Sequence, residues 1–199
     1  MAVKKSIAII GEGETEWWYF ETLRVACRYK FKVAPDFPQH SDIPHMAKLA
    51  EDYVKRETDH VVCLVDMDRL LKLPAEMATY QQLRKSSSPN VIWIETNPCT
   101  EFWFLLHFAY YTSNNHRSEY IEFLRKKFKG LGLGAYEKNR KDTFAILQEY
   151  GNEDLAIRYA KRIIADNEGK TPTEIAPGTK VYELVEELRK YCGDTGTLI

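Results

Sequence analysis

Three carboxylates in this chain stand where apolar runs end. Ser6-Ile7-Ala8-Ile9-Ile10 runs into Gly11-Glu12-Gly13, and further along Val61-Val62-Cys63-Leu64-Val65 runs into Asp66-Met67-Asp68. Short apolar runs rich in β-branched residues read as buried strands. In open α/β sheets the ligand crevice lies beyond the carboxyl ends of the strands. Acidic side chains from two such ends can converge, and converging carboxylates that cannot neutralise one another hold a divalent cation. The chemistry of such a centre is activation of water and neutralisation of a developing oxyanion.

The loop Gly11-Glu12-Gly13-Glu14-Thr15-Glu16 does not suit a dinucleotide. Glu16 stands at the third glycine position, and Glu12 and Glu14 crowd the place of the pyrophosphate. The Gly-Lys-Ser/Thr ending of a P-loop is missing as well. Glycines on both sides of Glu12 let the backbone turn and present that carboxylate. Glu16 falls in the first turn of the helix that follows, where the helix dipole alone would favour it. In Asp66-Met67-Asp68 one residue intervenes, so strand alternation aims both aspartates to one side. Asp-x-Asp after an apolar strand also occurs in haloacid-dehalogenase phosphatases. There it lies on the first strand, and Leu70 stands where Thr or Val is usual.

Glu101 is the next candidate. It opens a helix that follows a strand, and an acid in an otherwise apolar helix is costly to bury unless paired or metal-bound. The alternative is a first-turn Glu stabilised by the dipole alone. His107 lies about 600° further round that helix at roughly 100° per residue, so it points away from Glu101 and reads as a buried, hydrogen-bonded core histidine. Lys138 follows the glycine-rich stretch Gly130–Gly134. Beside metals it would stabilise a pentavalent phosphate; otherwise it is a surface lysine. Trp17 and Trp18 flank the acidic loop, where a base could stack, but core packing is the simpler reading.

Helices and strands alternate in the first half. Strands are expected at 5–11, 31–34, 61–65 and 91–95, and helices at 15–30, 43–57 and 74–85, with Thr15 as an N-cap. Asn97-Pro98 reads as an N-cap followed by Pro at the first helical position, opening a buried helix to about Tyr111. After Thr112 only amphipathic helices are expected, at 117–129, 140–150, 153–167 and 179–191, with no strand between them. This predicts an α/β core over 1–112 with a mostly parallel sheet flanked by helices. The helical C-terminal elaboration over 113–199 packs on that core within one structural domain. The tail 193–197 reads as frayed.

The 199 residues, 44% of them hydrophobic, can bury a full core. Net charge is −1, so a basic nucleic-acid footprint does not extend over the whole chain. Between His116 and Lys141, however, eight Lys/Arg face three Glu. Arg125, Lys126, Lys127, Lys129, Arg140 and Lys141 are the candidate phosphate contacts; solvated helix faces are the alternative. The four cysteines, Cys27, Cys63, Cys99 and Cys192, show no zinc-ligand spacing. No apolar run approaches the ~20 residues of a membrane span. With no secretory segment ahead of the first strand, a reduced cytoplasmic protein is expected.

Glu12 after a first strand and Asp66-Met67-Asp68 after a later one resemble the Toprim domain of topoisomerases, primases, recombination proteins and OLD nucleases. The resemblance implies Mg²⁺ on Glu12, Asp66 and Asp68. The form Glu12-Gly13-Glu14-Thr15-Glu16 is similar to the nuclease branch and adds Glu16 as a second metal contact. More narrowly, the segment Thr96-Asn97-Pro98-Cys99-Thr100-Glu101-Phe102-Trp103-Phe104-Leu105-Leu106-His107-Phe108 resembles a signature of the RloB family. So do Tyr136-Glu137-Lys138, the stretch Leu155–Lys161 and the stretch Pro177–Val185, in the same order. Thr96 and Thr100 replace the family's Ser and Phe, Ala176 its Asn, and Arg69 follows the second Asp where an acid is common. Of these, Thr96, Thr100 and Ala176 are not expected to touch the acidic set.

RloB-type proteins are linked to bacterial restriction and abortive-infection loci. The resemblance therefore implies a metal-dependent nuclease in phage defence, cutting DNA or RNA, with Glu12, Asp66, Asp68 and Lys138 catalytic and Glu16 and Glu101 supporting a second metal. The rival is a non-catalytic Toprim module that binds nucleic acid or a separately encoded ATPase, since this chain has no ATPase motif. Homo-oligomerisation is left open.

Overall fold

The computed structural model describes residues 6–35, 42–171 and 174–191. Its centre is a sheet of five strands: β1 (Ile7–Ile10), β2 (Phe31–Ala34), β3 (His60–Asp66), β4 (Val91–Asn97) and β5 (Gly178–Thr179). The spatial order is β2-β1-β3-β4-β5. The first four run parallel, and β5 pairs antiparallel to β4 through Thr96 and Asn97. The fold is α/β with a mostly parallel sheet, as the alternation of patterns predicts.

All of β1 and nearly all of β3 are buried. That explains their unbroken apolar sequences, because a parallel strand covered on both faces has no polar side to show. One face of the sheet is covered by α2 (Ile43–Lys55), α3 (Met67–Leu70) and α4 (Pro74–Ser86). There Ala8, Ile10, Val61, Cys63, Val65 and Trp93 meet Met46, Ala50 and Tyr80. The other face carries α1 (Glu14–Ala26), α5 (Glu101–Leu106), α6 (Arg117–Gly130), α7 (Thr143–Tyr150), α8 (Glu153–Ala165) and α9 (Val181–Tyr191). Ile7, Ile9, Val62, Leu64 and Ile94 pack there against a larger core drawn from all six of those helices. Local signals fix several helix starts. Asp42 accepts from His45 N at 2.8 Å ahead of Pro44, and Asn152 accepts from Leu155 N at 2.9 Å.

Four expectations need correction. The second half does supply a strand, β5, whose two residues carry no hydrophobic pattern to announce it. Thr15 lies inside α1, and Gly13 holds the N-cap position. Asn97 is the last residue of β4 and not a helix cap; α5 begins at Glu101 and ends at Leu106, well short of Tyr111. The reason is local. Residues 98–100 wrap the Asp66–Asp68 turn, with Asp68 N donating to Pro98 O at 3.0 Å and Thr100 N to an Asp66 carboxylate oxygen at 2.9 Å. The turn at Gly11-Glu12-Gly13 is made without a left-handed backbone at either glycine. Gly11 is needed for space, since a Cβ there would strike Glu16 Cβ at 2.6 Å.

Among the described residues no helix is long and apolar enough to cross a membrane. The tail 193–197 and Cys192 lie outside the described residues.

Candidate functional site

The chain leaves β1 towards β2 on one side and returns to β3 on the other. The carboxyl ends of β1 and β3 therefore flank a topological switch point, the usual place of a crevice in such sheets. Glu12 follows β1 directly, and Asp66 ends β3. They meet there: Asp66 N donates to Glu12 Oε1 at 3.1 Å. A cavity of about 420 Å³ opens at this point, lined by Glu12, Glu14, Glu16, Asp66, Arg117 and Lys138 among others.

Each carboxylate is placed by a different device. Glu16, in the first turn of α1, folds back to accept from Gly13 N at 3.0 Å. Asp66 Oδ1 accepts from both Thr100 N at 2.9 Å and Thr100 Oγ1 at 3.1 Å. Asp68 sits one residue into α3, because Met67 turns down into the core and brings the second aspartate round. Glu101 opens α5 with 0% exposure. Its Oε1 accepts from Tyr136 OH at 3.3 Å and Thr15 Oγ1 at 3.4 Å, and Lys138 Nζ stands 3.8 Å away. The structure thus brings Glu12, Glu16, Asp66, Asp68, Glu101 and Lys138 to one place.

The residue that sequence reasoning passed over is Arg117. Its Nη1 donates to Asp68 Oδ2 at 2.7 Å, and its Nη2 lies 3.7 Å from Asp66 Oδ2 and 3.8 Å from Glu101 Oε2. One signal could have found it: it occupies the first turn of α6, where the dipole disfavours a cation. Thr100 was also misjudged. It replaces a Phe in the resemblance, yet its hydroxyl touches the acidic set directly.

The electrostatics are those of too many negative charges. Burial, then the neighbouring Glu16, pushes the Glu12 carboxyl up to about 8. Burial and Glu101 raise Glu16. Burial, then Glu16, Glu12 and Glu101, raise Asp66, with Arg117 opposing. For Arg117 burial works against the charge, but Cys99 and the carboxylates Glu101, Asp66 and Asp68 outweigh it and hold the guanidinium protonated. Even so, Asp68 Oδ1 and Glu101 Oε2 are buried without a hydrogen-bond partner. As the side chains stand, no three acidic, histidine or cysteine groups among the described residues close on an ion. The donor chemistry nevertheless fits a hard divalent cation: all the ligands are carboxylate oxygens, and two of those oxygens are orphaned.

The basic candidates divide. Arg125 reaches Tyr136 O at 3.5 Å and Glu137 at 3.4 Å, flanking Lys138. Lys141 lies over the Trp18 ring at 4.5 Å, beside the helix turn that carries Glu14. Arg140 is spent internally, donating to Asp142 at 2.6 and 3.0 Å and to Ala135 O at 3.0 Å. Lys126 pairs with Glu122, Lys127 lies over Phe108, and Lys129 is exposed at the end of α6. These three follow α6 away from the cavity. Trp17 donates its indole N–H to Pro35 O at 2.8 Å.

His107 is buried at the end of α5, with Nδ1 3.0 Å from Trp103 O. Because a carbonyl only accepts, Nδ1 carries a proton, and burial disfavours a second one on Nε2, which keeps the ring neutral. It takes no part in the acidic cluster.

The family model of RloB-like proteins matches residues 7–188, nearly the whole chain. The chain belongs to the RloB-like family. No curated protein and no solved structure matches it. The matched span includes every residue of the acidic cluster, together with Arg117 and Lys138.

Proposed function

We propose that this RloB-like chain is a Mg²⁺- or Mn²⁺-dependent phosphodiesterase with a Toprim-like centre, acting on nucleic acid in bacterial phage defence. One observation carries the reading. Glu12, Glu16, Asp66, Asp68 and Glu101 converge from three strand ends, and three cations act on these five acids: Arg117, Lys138 and, at Glu12, Arg69. A protein accepts that much uncompensated buried charge where a cation is to be bound.

Glu12, Glu16 and Asp66 line the cavity and would hold the ion. A bound divalent ion supplies Lewis-acid charge to the phosphoryl oxygens and lowers the pKa of a water. The chain supplies the rest. Thr100 fixes Asp66 through two hydrogen bonds, so that carboxylate is oriented before substrate arrives. Lys138 is tethered by Glu101, but its side chain is 47% exposed, so Nζ can meet a non-bridging phosphate oxygen as charge builds there. Arg125 and Lys141 flank Lys138 and would seat the adjacent phosphates. A cytoplasmic setting and a nucleic-acid partner belong to this reading.

A second reading is a non-catalytic module that uses the cluster to bind nucleic acid or a separate ATPase. It is favoured by the fact that, among the described residues, no three carboxylates close on an ion without rearrangement. The discriminating experiment incubates the purified chain with Mg²⁺ or Mn²⁺ and panels of duplex DNA, single-stranded DNA and structured RNA. Cutting that needs metal and vanishes in Asp66→Asn supports the enzyme. Intact substrates throughout, with equal binding by both proteins, would leave only the module.

A further inference from the structure

We infer that Arg117 is a built-in cation occupying one of two cation positions in the acidic cluster, so that the chain takes a single divalent ion. The inference rests on the metal reading above and adds to it a stoichiometry and a role for a residue outside the expected set.

Arg117 bridges three elements: Asp66 at the end of β3, Asp68 on α3 and Glu101 on α5. Its one short contact is to Asp68 Oδ2, at 2.7 Å. The two remaining contacts, near 3.7 and 3.8 Å, are charge contacts and too long for hydrogen bonds. The guanidinium therefore supplies charge to Asp66 and Glu101 without satisfying their oxygens. Glu101 Oε2 and Asp68 Oδ1, both buried, are left unpartnered beside it. Oxygens that need charge but lack donors describe a cation position held by a planar group instead of an ion.

The placement has a cost that helix preference would not choose. Arg117 occupies the dipole-positive end of α6, and its side chain is only 26% exposed. Attraction to the carboxylates offsets both penalties. The other side of the cluster, Glu12 and Glu16 with Asp66 shared, lines the open cavity. Arg69 acts on Glu12 there through charge, but the short guanidinium–carboxylate contact of Arg69 is to Glu76, at 2.7 Å. A divalent ion fits there. A second ion among Asp66, Asp68 and Glu101 would have to displace a positive charge that cannot deprotonate.

The test counts Mn²⁺ bound per chain, by the loss of free-Mn²⁺ electron paramagnetic resonance signal, for the wild type, Arg117→Gln and Arg117→Met. One ion for the wild type and two for each variant is the expected result. Two ions on the wild type, or one on all three proteins, overturns the role of Arg117 while leaving the metal reading intact. No Mn²⁺ on any of them removes the metal reading itself. Should the variants be unfolded in metal-free buffer, the inference expects Mn²⁺ to restore their cooperative melting, since a second ion replaces the lost charge. Variants that stay unfolded in Mn²⁺ refute it.

Discussion

Two regions of this sheet bury carboxylates, and they do so in opposite ways. On the face covered by α4, Glu95 is 3% exposed. Its Oε1 accepts from Tyr80 OH at 2.5 Å and forms an ion pair with Arg84, whose Nε lies 3.1 Å away. One acid meets one cation and one hydroxyl, both at Oε1, so its single charge has its own partners even though Oε2 is buried without a hydrogen bond. At the carboxyl ends of β1 and β3, Glu12, Glu16, Asp66, Asp68 and Glu101 share Arg117 and Lys138. The contrast lies in compensation and not in burial. A buried acid with its own partner holds the fold together, whereas a group of acids short of partners is kept for something that arrives later.

That distinction is open to mutation. Asp66→Asn keeps an oxygen for Thr100 and removes one charge from the crowd. Nuclease activity should fall by more than about a hundredfold, beyond the ten- to hundredfold typical of residues that merely support metal ligands. The melting temperature in metal-free buffer should hold level or rise, because burial and the charges of Glu16, Glu12 and Glu101 all disfavour the ionised Asp66. A marked fall in melting temperature would place Asp66 in the same class as Glu95 and erase the contrast.

His107 offers a control far from both regions. Burial pushes its pKa down from 6.5 to about 4. Above pH 6.5 both folded and unfolded chains carry a neutral ring, and nothing is lost. Between pH 6.5 and 4 the unfolded chain takes up a proton that the folded chain refuses. Stability therefore declines over that window, by about 3 kcal/mol at its lower end. Denaturant melts of wild type and His107→Asn across the window should converge as pH falls. Parallel curves would show that His107 is not the neutral core residue its contact with Trp103 implies.

Glu95→Ala tests the other side of the comparison. It leaves Tyr80 without an acceptor and Arg84 without its acid. A cost of about 2 kcal/mol is expected, less than for a fully buried pair because Arg84 reaches solvent. Activity per folded molecule should be unchanged, as measured by single-turnover cutting beside a chemical melt.

The sequence made the strands legible because β1 and β3 are buried on both faces and so read as apolar runs, and β4 opens on one, Val91-Ile92-Trp93-Ile94. It placed Glu12, Asp66, Asp68, Glu16 and Glu101 together because each lies at a strand end or in a first helical turn, and topology brings those points to one edge. Arg117 escaped for the converse reason. It is delivered by the irregular stretch between α5 and α6, which has no period to read. The strand β5 escaped because pairing, not composition, defines it. Thr100 escaped because its work is done by a backbone N–H and a hydroxyl, neither of which has a pattern in sequence.

Thr100 therefore supplies the finest test. Thr100→Val keeps the shape and the backbone donor at 2.9 Å and deletes the hydroxyl, with its bond of 3.1 Å to Asp66 Oδ1 and its support of the Glu16 carboxylate. One remaining donor still holds the carboxylate, so a loss of about 1 kcal/mol in stability is expected. Activity should fall roughly tenfold, the low end for a residue that orients a metal ligand. If Thr100→Val instead matched Asp66→Asn in severity, orientation of that carboxylate would matter as much as its charge. The site would then depend on geometry more than on its surplus of negative charge.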